Sequence, residues 1–353
     1  MSSPAAASNR ALILAVSGGP ARGRKAAIPE GKSLVVGRSD GAGFSLPAAA
    51  RLSARHFEIA WDGATPVVRD LGSLDGTRLG GQAITESEAS HAAWIRAGDI
   101  DFTLHVEAHT PPDEDDEDDA QALSAEEEGA DEDAEEPFPT EEPEDDPDEQ
   151  GLYSDDAEVR WNAERAARQA RIARELRAHA IAHAAPLLES IAAEGPIHAV
   201  LDAARTPRIL TVLREAVEEH RSLYEGVPGE ALDDVAPYLV KLGAGSRLLS
   251  QLVREGWTRR WGIYLVGDVR ERDLRRHLRR FLVVEEEDTR ERLYFRYYDP
   301  AALRDVWPTC TRRQKDDLLG PLSAYLVEGP RGEVLRLTAD RDIESLTPAF
   351  SSR

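Results

Sequence analysis

The chain of 353 residues has a single cysteine, Cys310, and no uncharged apolar run of membrane-spanning length. One cysteine excludes an intramolecular disulfide framework and any zinc or iron–sulfur site that needs several cysteines from one chain. A membrane-spanning helix needs roughly 18 or more apolar residues in succession, and residues 1–10 lack a charged leader followed by an apolar stretch. We therefore expect a cytoplasmic protein that does not enter a membrane.

Sequence patterns of catalysis are also missing. The chain has no Gly-x-Ser-x-Gly nucleophile elbow, no dinucleotide-binding fingerprint and no zinc-protease helix. His179 and His183 lie one helical turn apart, but two histidines without a third ligand nearby do not make a metal site. We expect no catalytic residue, no metal and no cofactor, and we interpret the chain as a binding protein rather than an enzyme.

Basic residues are missing from Pro111 to Gln150, a tract that carries 22 Asp and Glu. Its only large apolar residues are Leu123 and Phe138, so it cannot bury enough surface to offset the entropy of ordering, and its like charges repel. Removing these 22 from the 66 acidic residues leaves 44 against 43 Lys and Arg, so the net charge of −23 comes from here. We predict a disordered acidic linker over residues 111–150 between two near-neutral bodies. Neither body has the basic bias of a nucleic-acid binder.

Residues 1–110 contain short β-rich runs separated by Gly, Asp and Pro at hairpin-like intervals. The runs are Ile13 to Val16, Leu34 to Val36, His56 to Trp61, Val67 to Leu71 and Ile100 to Glu107. In the last run apolar and polar residues alternate, as a half-buried strand requires. The pattern predicts an all-β sandwich.

Three short motifs follow one another in this body. They are Gly37-Arg38, then Ser53-Ala54-Arg55-His56, then Asp70-Leu71-Gly72-Ser73-Leu74-Asp75-Gly76-Thr77. This order resembles a forkhead-associated (FHA) domain over about residues 10–108. The resemblance implies a β-sandwich whose end loops hold a phosphothreonine.

By this resemblance, Arg38 and Ser53 contact the phosphate and His56 braces the loops from inside. The chemistry agrees, since a phosphate is bound well by a guanidinium and a hydroxyl carried on loops of a rigid sheet. The full phosphopeptide-binding set is Arg38, Ser53, Arg55, Asp75 and Thr77, and the residues expected to maintain the motif are Gly37, His56 and Gly76.

Asp75 departs from the family pattern, which usually has Asn there to contact the peptide backbone with its amide. A carboxylate cannot donate that hydrogen bond, and it repels a phosphate. We expect Asp75 to weaken phosphopeptide binding.

Within a helical segment over residues 151–194, Asp155 to Ala184 is rich in Ala, Arg and Glu, with Ile172, Leu176 and Ala180 at helical spacing. This pattern predicts a long amphipathic helix. Pro186 is expected to end or kink it. Residues 195–325 mix extended and helical patterns, among them an aromatic strand from Arg292 to Tyr298, which indicates an α/β or α+β domain. Residues 326–353 are interpreted as a C-terminal extension.

A series of segments within residues 195–325 is distinctive. In order they are HAVLDAA (His198 to Ala204), RSLYEG (Arg221 to Gly226), APYLVKL (Ala236 to Leu242), GWTRRWGIYL (Gly256 to Leu265), HLRRFLVV (His277 to Val284), YFRYYDP (Tyr294 to Pro300) and Gly320-Pro321. This series resembles the Tap-like effector adaptors of type VI secretion. Such a domain binds a toxic effector and helps load it onto the spike protein VgrG, so the resemblance implies these two partners. The effector-binding candidates are Tyr224, Arg296, Tyr298 and Asp299.

The two resemblances together indicate a non-enzymatic adaptor that docks a phosphothreonine protein at one end and a type VI effector at the other. A phosphothreonine-dependent signalling scaffold unrelated to secretion and an unrecognised hydrolase stay open as alternatives.

Overall fold

The computed structural model describes residues 10–112, 155–224, 230–285, 292–341 and 343–351. From residue 113 onward the predicted acidic linker lies outside the described residues, so its disorder stays a prediction. Over the described ranges, no helix is both long enough and apolar enough to cross a bilayer.

The N-terminal domain is built from eleven strands among the described residues. They are β1 (Ala11–Gly18), β2 (Lys25–Pro29), β3 (Lys32–Gly37), β4 (Phe44–Ser45), β5 (Phe57–Trp61), β6 (Pro66–Asp70), β7 (Thr77–Leu79), β8 (Gln82–Ile84), β9 (Glu86–Glu88), β10 (Trp94–Ala97) and β11 (Ile100–Val106). All five predicted runs are strands, which confirms the all-β interpretation.

These strands form two packed sheets, one in the order β2-β1-β11-β10-β7-β8 and the other in the order β4-β3-β5-β6-β9. Alternate residues of each strand point between the sheets. Phe57 and Phe102, from opposite sheets, are fully buried and meet edge to face with ring centroids 5.4 Å apart. The core therefore fixes the strands, and the loops at their ends are held by a rigid scaffold.

The C-terminal part begins with a single helix, α1 (Asp155–Glu194), that contains Pro186 in its interior. Pro186 was expected to end or kink the helix; it does not end α1, which continues for two further turns. A proline inside a helix costs about 3 kcal/mol. Ala184, Leu188 and Ala192 lie one turn apart on the buried side of α1, and their packing offsets that cost.

Nine more strands and five more helices follow among the described residues. The strands are β12 (Ile197–Asp202), β13 (His220–Ser222), β14 (Pro237–Leu242), β15 (Gly262–Val266), β16 (Val283–Glu285), β17 (Arg292–Tyr294), β18 (Ala324–Glu328), β19 (Val334–Leu337) and β20 (Ile343–Ser345). The helices are α2 (Pro207–Arg214), α3 (Arg247–Gly256), α4 (Glu271–Arg279), α5 (Pro300–Val306) and α6 (Arg312–Leu319).

Seven of these strands form one antiparallel sheet in the order β13-β14-β12-β15-β18-β19-β20. Helices α1, α2 and α3 pack on one face, and α4, α5 and α6 pack on the other. The predicted α/β class is confirmed. Two details differ from the prediction. Residues 326–353, interpreted as a C-terminal extension, supply most of β18 and all of β19 and β20. The predicted aromatic strand ends at Tyr294 instead of Tyr298.

The two domains contact each other directly. Lys25 of β2 donates from Nζ to the carbonyl oxygens of Leu213 and Ala216, at 2.6 Å each, at the end of α2. Glu107, next to the end of β11, pairs with Arg247 at 3.0 Å. Beside these contacts, both domains line a cleft of about 610 Å³. The domains are therefore held together by contacts as well as by the chain that joins them.

Candidate functional site

Three loops meet at one end of the N-terminal sandwich. They follow β3, precede β5 and join β6 to β7. The main chain ties the first two together, because the Arg38 amide donates to the Ser53 carbonyl at 2.9 Å. The Leu74 amide donates to the Ser53 hydroxyl oxygen at 3.0 Å, which ties in the third. Since the Ser53 hydroxyl accepts this bond, its own proton stays available to a ligand.

His56 braces these loops from inside the domain, where it is fully buried. Its Nδ1 accepts from the Ser53 amide at 3.1 Å, and its Nε2 lies 3.1 Å from the Gly76 carbonyl oxygen. A ring nitrogen that accepts from an amide carries no proton, so Nε2 holds the proton and donates it to Gly76. The expected bracing role of His56 has this geometric basis.

Asp70 organises the third loop with its carboxylate. It accepts from the amides of Gly72 and Ser73 and from the hydroxyls of Ser73 and Thr77, at 2.6 to 3.0 Å. Partial burial acts to raise the pKa of Asp70, but the hydrogen bonds from Ser73, Thr77 and Gly72 together outweigh it and lower the pKa below its ordinary value. The Asp70 carboxylate thus stays ionised and holds the loop in place through these hydrogen bonds.

Arg38 and Arg55 extend from these loops into solvent. Among the residues that the structure describes, no acidic side chain pairs with either guanidinium. Two uncommitted cations therefore lie on the same loops as the Ser53 hydroxyl. A guanidinium and a hydroxyl on a braced loop can together bind a tetrahedral anion by charge-assisted hydrogen bonds.

Two residues of the predicted phosphopeptide set have different roles from those expected. Thr77 is fully buried and donates its hydroxyl to Asp70 at 2.7 Å, so it supports the loop and cannot reach a ligand. Asp75 is not a free carboxylate, because Arg51 Nε donates to its Oδ2 at 3.0 Å. Arg51 was not foreseen, and its position two residues before Ser53 is the only sequence signal that it has.

The four effector-binding candidates of the C-terminal domain lie in one neighbourhood. Tyr224 and Tyr298 bring their hydroxyl oxygens to 3.3 Å, and Arg296 pairs with Asp202 at the end of β12. Tyr298 is buried, while the Arg296 side chain is 46% exposed. Of these side chains, Arg296 and the partly buried Tyr224 are the ones that a partner can reach.

Asp299 is buried and serves the fold of this region. Its Oδ1 accepts from the Ala301 amide at 2.9 Å as the N-cap of α5, and Arg260 donates to both of its carboxylate oxygens at 2.9 to 3.1 Å. Arg205 pairs with it as well. Burial acts to raise the pKa of Asp299, but the two arginines outweigh it and lower that pKa. Asp299 is therefore the centre of an ion cluster and offers no contact to a partner.

Solved FHA structures are similar to the N-terminal domain. A structure described as a structural and functional analysis of phosphothreonine-dependent FHA domain interactions is 29% identical, with 29% of this chain and 98% of the other covered and a TM-score of 0.25. The FhaA FHA domain, complexed with an intracellular domain, is 31% identical, with 27% and 99% covered and a TM-score of 0.24. An FHA domain from Arabidopsis thaliana is 26% identical, with 32% and 98% covered and a TM-score of 0.27.

No curated protein matches the chain. Two family descriptions do match, "FHA domain" over residues 34–100 and "Domain of unknown function (DUF4123)" over residues 197–317. DUF4123 is the Tap-like effector-adaptor family, so both resemblances found in the sequence are confirmed. The N-terminal domain thus matches the FHA family, and the C-terminal domain matches the DUF4123 family.

Proposed function

We propose that this protein is an adaptor for type VI secretion whose N-terminal domain docks a phosphothreonine protein and whose C-terminal domain carries an effector toward the spike protein VgrG. The observation that carries the docking half is that the uncommitted Arg38 and the Ser53 hydroxyl lie on two loops joined by the hydrogen bond from the Arg38 amide to the Ser53 carbonyl. Both groups lie on loops that His56 and Asp70 hold in place. This is the arrangement that a phosphate monoester requires.

The effector half is supported by family membership and by the neighbourhood of Tyr224 and Arg296. Arg296 presents nearly half of its side chain to solvent while Asp202 fixes its direction. An arginine with a held guanidinium beside an aromatic ring is a combination enriched in the anchors of protein interfaces. We infer that the effector binds over this end of β12.

The direct contacts between the domains add a feature to this function. Two partners bound to a flexible tether sample many relative positions, whereas Lys25 and the Glu107–Arg247 pair hold these two domains against each other. The adaptor then presents its effector at a defined position relative to the phosphothreonine protein.

The effector half is tested by co-expressing the full chain with a type VI effector and VgrG and purifying the complex. We expect Arg296→Ala to reduce the amount of bound effector by about tenfold, which corresponds to about 1.4 kcal/mol. Arg312→Ala is the matched control, since Arg312 is also about half exposed and ion-paired but lies on α6. Loss of effector with both variants, or with neither, would contradict the assignment.

A further inference from the structure

Arg51 makes a contact that alters the expected effect of Asp75 on phosphate binding. Its Nε donates to Asp75 Oδ2 at 3.0 Å, while 68% of the Arg51 side chain and 26% of the Asp75 side chain stay exposed. The pair therefore lies at the surface, open to a ligand on the loops, and it is not part of the core. An exposed ion pair of this kind contributes little to folding stability.

The main chain on the Arg51 side of the pair is fixed by a neighbouring turn. The Arg51 amide donates to Asp99 Oδ1 at 3.4 Å. Gly98 has φ +58°, and a Cβ there would lie 2.6 Å from the Arg51 carbonyl oxygen, so the turn approaches closely because residue 98 has no side chain. The main chain of Arg51 is thus held in a defined position beside the loops.

The main chain on the Asp75 side is fixed as well. The preceding amide, of Leu74, donates to Ser53, and the following carbonyl, of Gly76, accepts from His56. Asp75 consequently lies one residue from the group that supports the Ser53 hydroxyl. The main chain of Asp75 is therefore held close to a phosphate bound at Ser53.

We propose that Arg51 is a positioning residue for phosphopeptide binding: it neutralises Asp75 and so allows loops that carry a carboxylate to accept a phosphate dianion. The inference rests on the proposed phosphothreonine docking. An unpaired carboxylate would repel each unit of phosphate charge, and an adjacent guanidinium cancels that repulsion. Arg51 therefore acts through Asp75, whereas Arg38 acts on the phosphate.

The test is a double-mutant cycle on the full chain, measured by calorimetry with a phosphothreonine peptide and its unphosphorylated form. The variants are Arg51→Ala, Asp75→Asn and the double variant, with Arg96→Ala as the matched control because Arg96 is similarly exposed and also paired to an aspartate. We expect Arg51→Ala to weaken binding about tenfold at low salt and much less at high salt, since exposed charges are screened. In the Asp75→Asn background the same change should alter binding by less than about twofold.

The outcomes separate this inference from the function on which it rests. If the wild-type chain binds the phosphopeptide and Arg51→Ala has no effect, or if its cost persists in the Asp75→Asn background, the positioning role is wrong although docking stands. If neither the wild type nor Asp75→Asn prefers the phosphorylated peptide, the docking function itself fails and this inference fails with it. Unchanged melting temperatures for Arg51→Ala and Arg96→Ala would show that altered binding does not come from altered folding.

Discussion

The Nζ atom of Lys25 lies 2.6 Å from the carbonyl oxygen of Leu213, although 188 residues separate the two in the chain. Leu213 is in the last turn of α2, where carbonyl groups lack helical partners and carry the negative end of the helix dipole. A lysine from the N-terminal domain thus provides a hydrogen-bond donor to a carbonyl group at the end of a helix in the C-terminal domain. This single contact has three measurable consequences.

Replacing Lys25 with methionine should loosen the contact between the domains. The substitution keeps most of the apolar volume but leaves the carbonyls of Leu213 and Ala216 without their donor, at a cost of about 1–3 kcal/mol for each group that stays buried. We expect one unfolding transition for the wild type in scanning calorimetry and a broader or split transition for Lys25→Met. Lys32→Met is the control, since Lys32 is an exposed lysine of β3, and a matching loss of stability there would contradict the account.

The stability of the wild type should also rise with pH in a way that depends on Lys25. Burial outweighs the attraction of Glu218 and Glu219 and lowers the pKa of Lys25 from 10.5 to about 7. Between these values the unfolded chain binds the proton and the folded chain does not, so the free energy of unfolding increases as the pH rises from about 7 toward 10.

Urea unfolding at several pH values measures this difference. Above pH 7 the free energy of unfolding of the wild type should increase relative to that of Lys25→Met. The contributions of the other titrating groups are shared by both proteins and cancel in this difference. A gap that is constant with pH would mean that the Lys25 amine keeps its ordinary pKa.

Cleavage of the acidic tract should not separate the two domains. A disordered linker alone would leave two separate bodies after cleavage, but the contacts of Lys25 and the Glu107–Arg247 pair join the domains without it. After limited proteolysis within residues 113–150, we expect two fragments on a denaturing gel and one peak in size exclusion. Two peaks from the wild type would show that the contacts are too weak to hold, and cleaved Lys25→Met should separate more readily.

Thr77 offers a test of bracing against ligand contact. Thr77→Val removes the hydroxyl that donates to Asp70 and should lower stability by about 1 kcal/mol, with a modest loss of phosphopeptide affinity. Thr77→Ser keeps the hydroxyl and should restore most of both. If Thr77→Val abolishes binding while stability is unchanged, the hydroxyl contacts the ligand and the bracing role is wrong.

The sequence predicted the features of this protein that depend on local patterns. A β-rich run placed the strand around Ile59, and alternating apolar residues placed the strand around Phe102. The order of the loop motifs placed Arg38, Ser53 and His56 together. Contacts between distant segments were not predictable: nothing in the chain near Lys25 indicates α2, and nothing near Arg51 indicates Asp75. The continuation of α1 through Pro186 was missed for the same reason, because tertiary packing decides it.

In the C-terminal domain the aromatic run YFRYYDP was not predicted correctly from its local pattern. The aromatic run predicted a strand from Arg292 to Tyr298, but the strand ends at Tyr294 and Asp299 is the N-cap of α5. The residues between them turn and bring Tyr298 against Tyr224. The motif segments nevertheless meet in space, since Asp202, Arg260 and Arg296 belong to three of them and lie close together around the end of β12. That these segments bind an effector stays a prediction, and burial decides which of their side chains a partner can reach.

The most direct measurement of the central claim is a bridging experiment. A phosphothreonine peptide is fixed to beads, the full chain is added with a type VI effector, and the retained effector is quantified. The account predicts that the effector is retained only through the adaptor, is released by free phosphothreonine peptide, and is lost with Arg38→Ala even though Arg38→Ala still binds the effector in solution. Retention that is equal on unphosphorylated beads, or that survives Arg38→Ala, would contradict it.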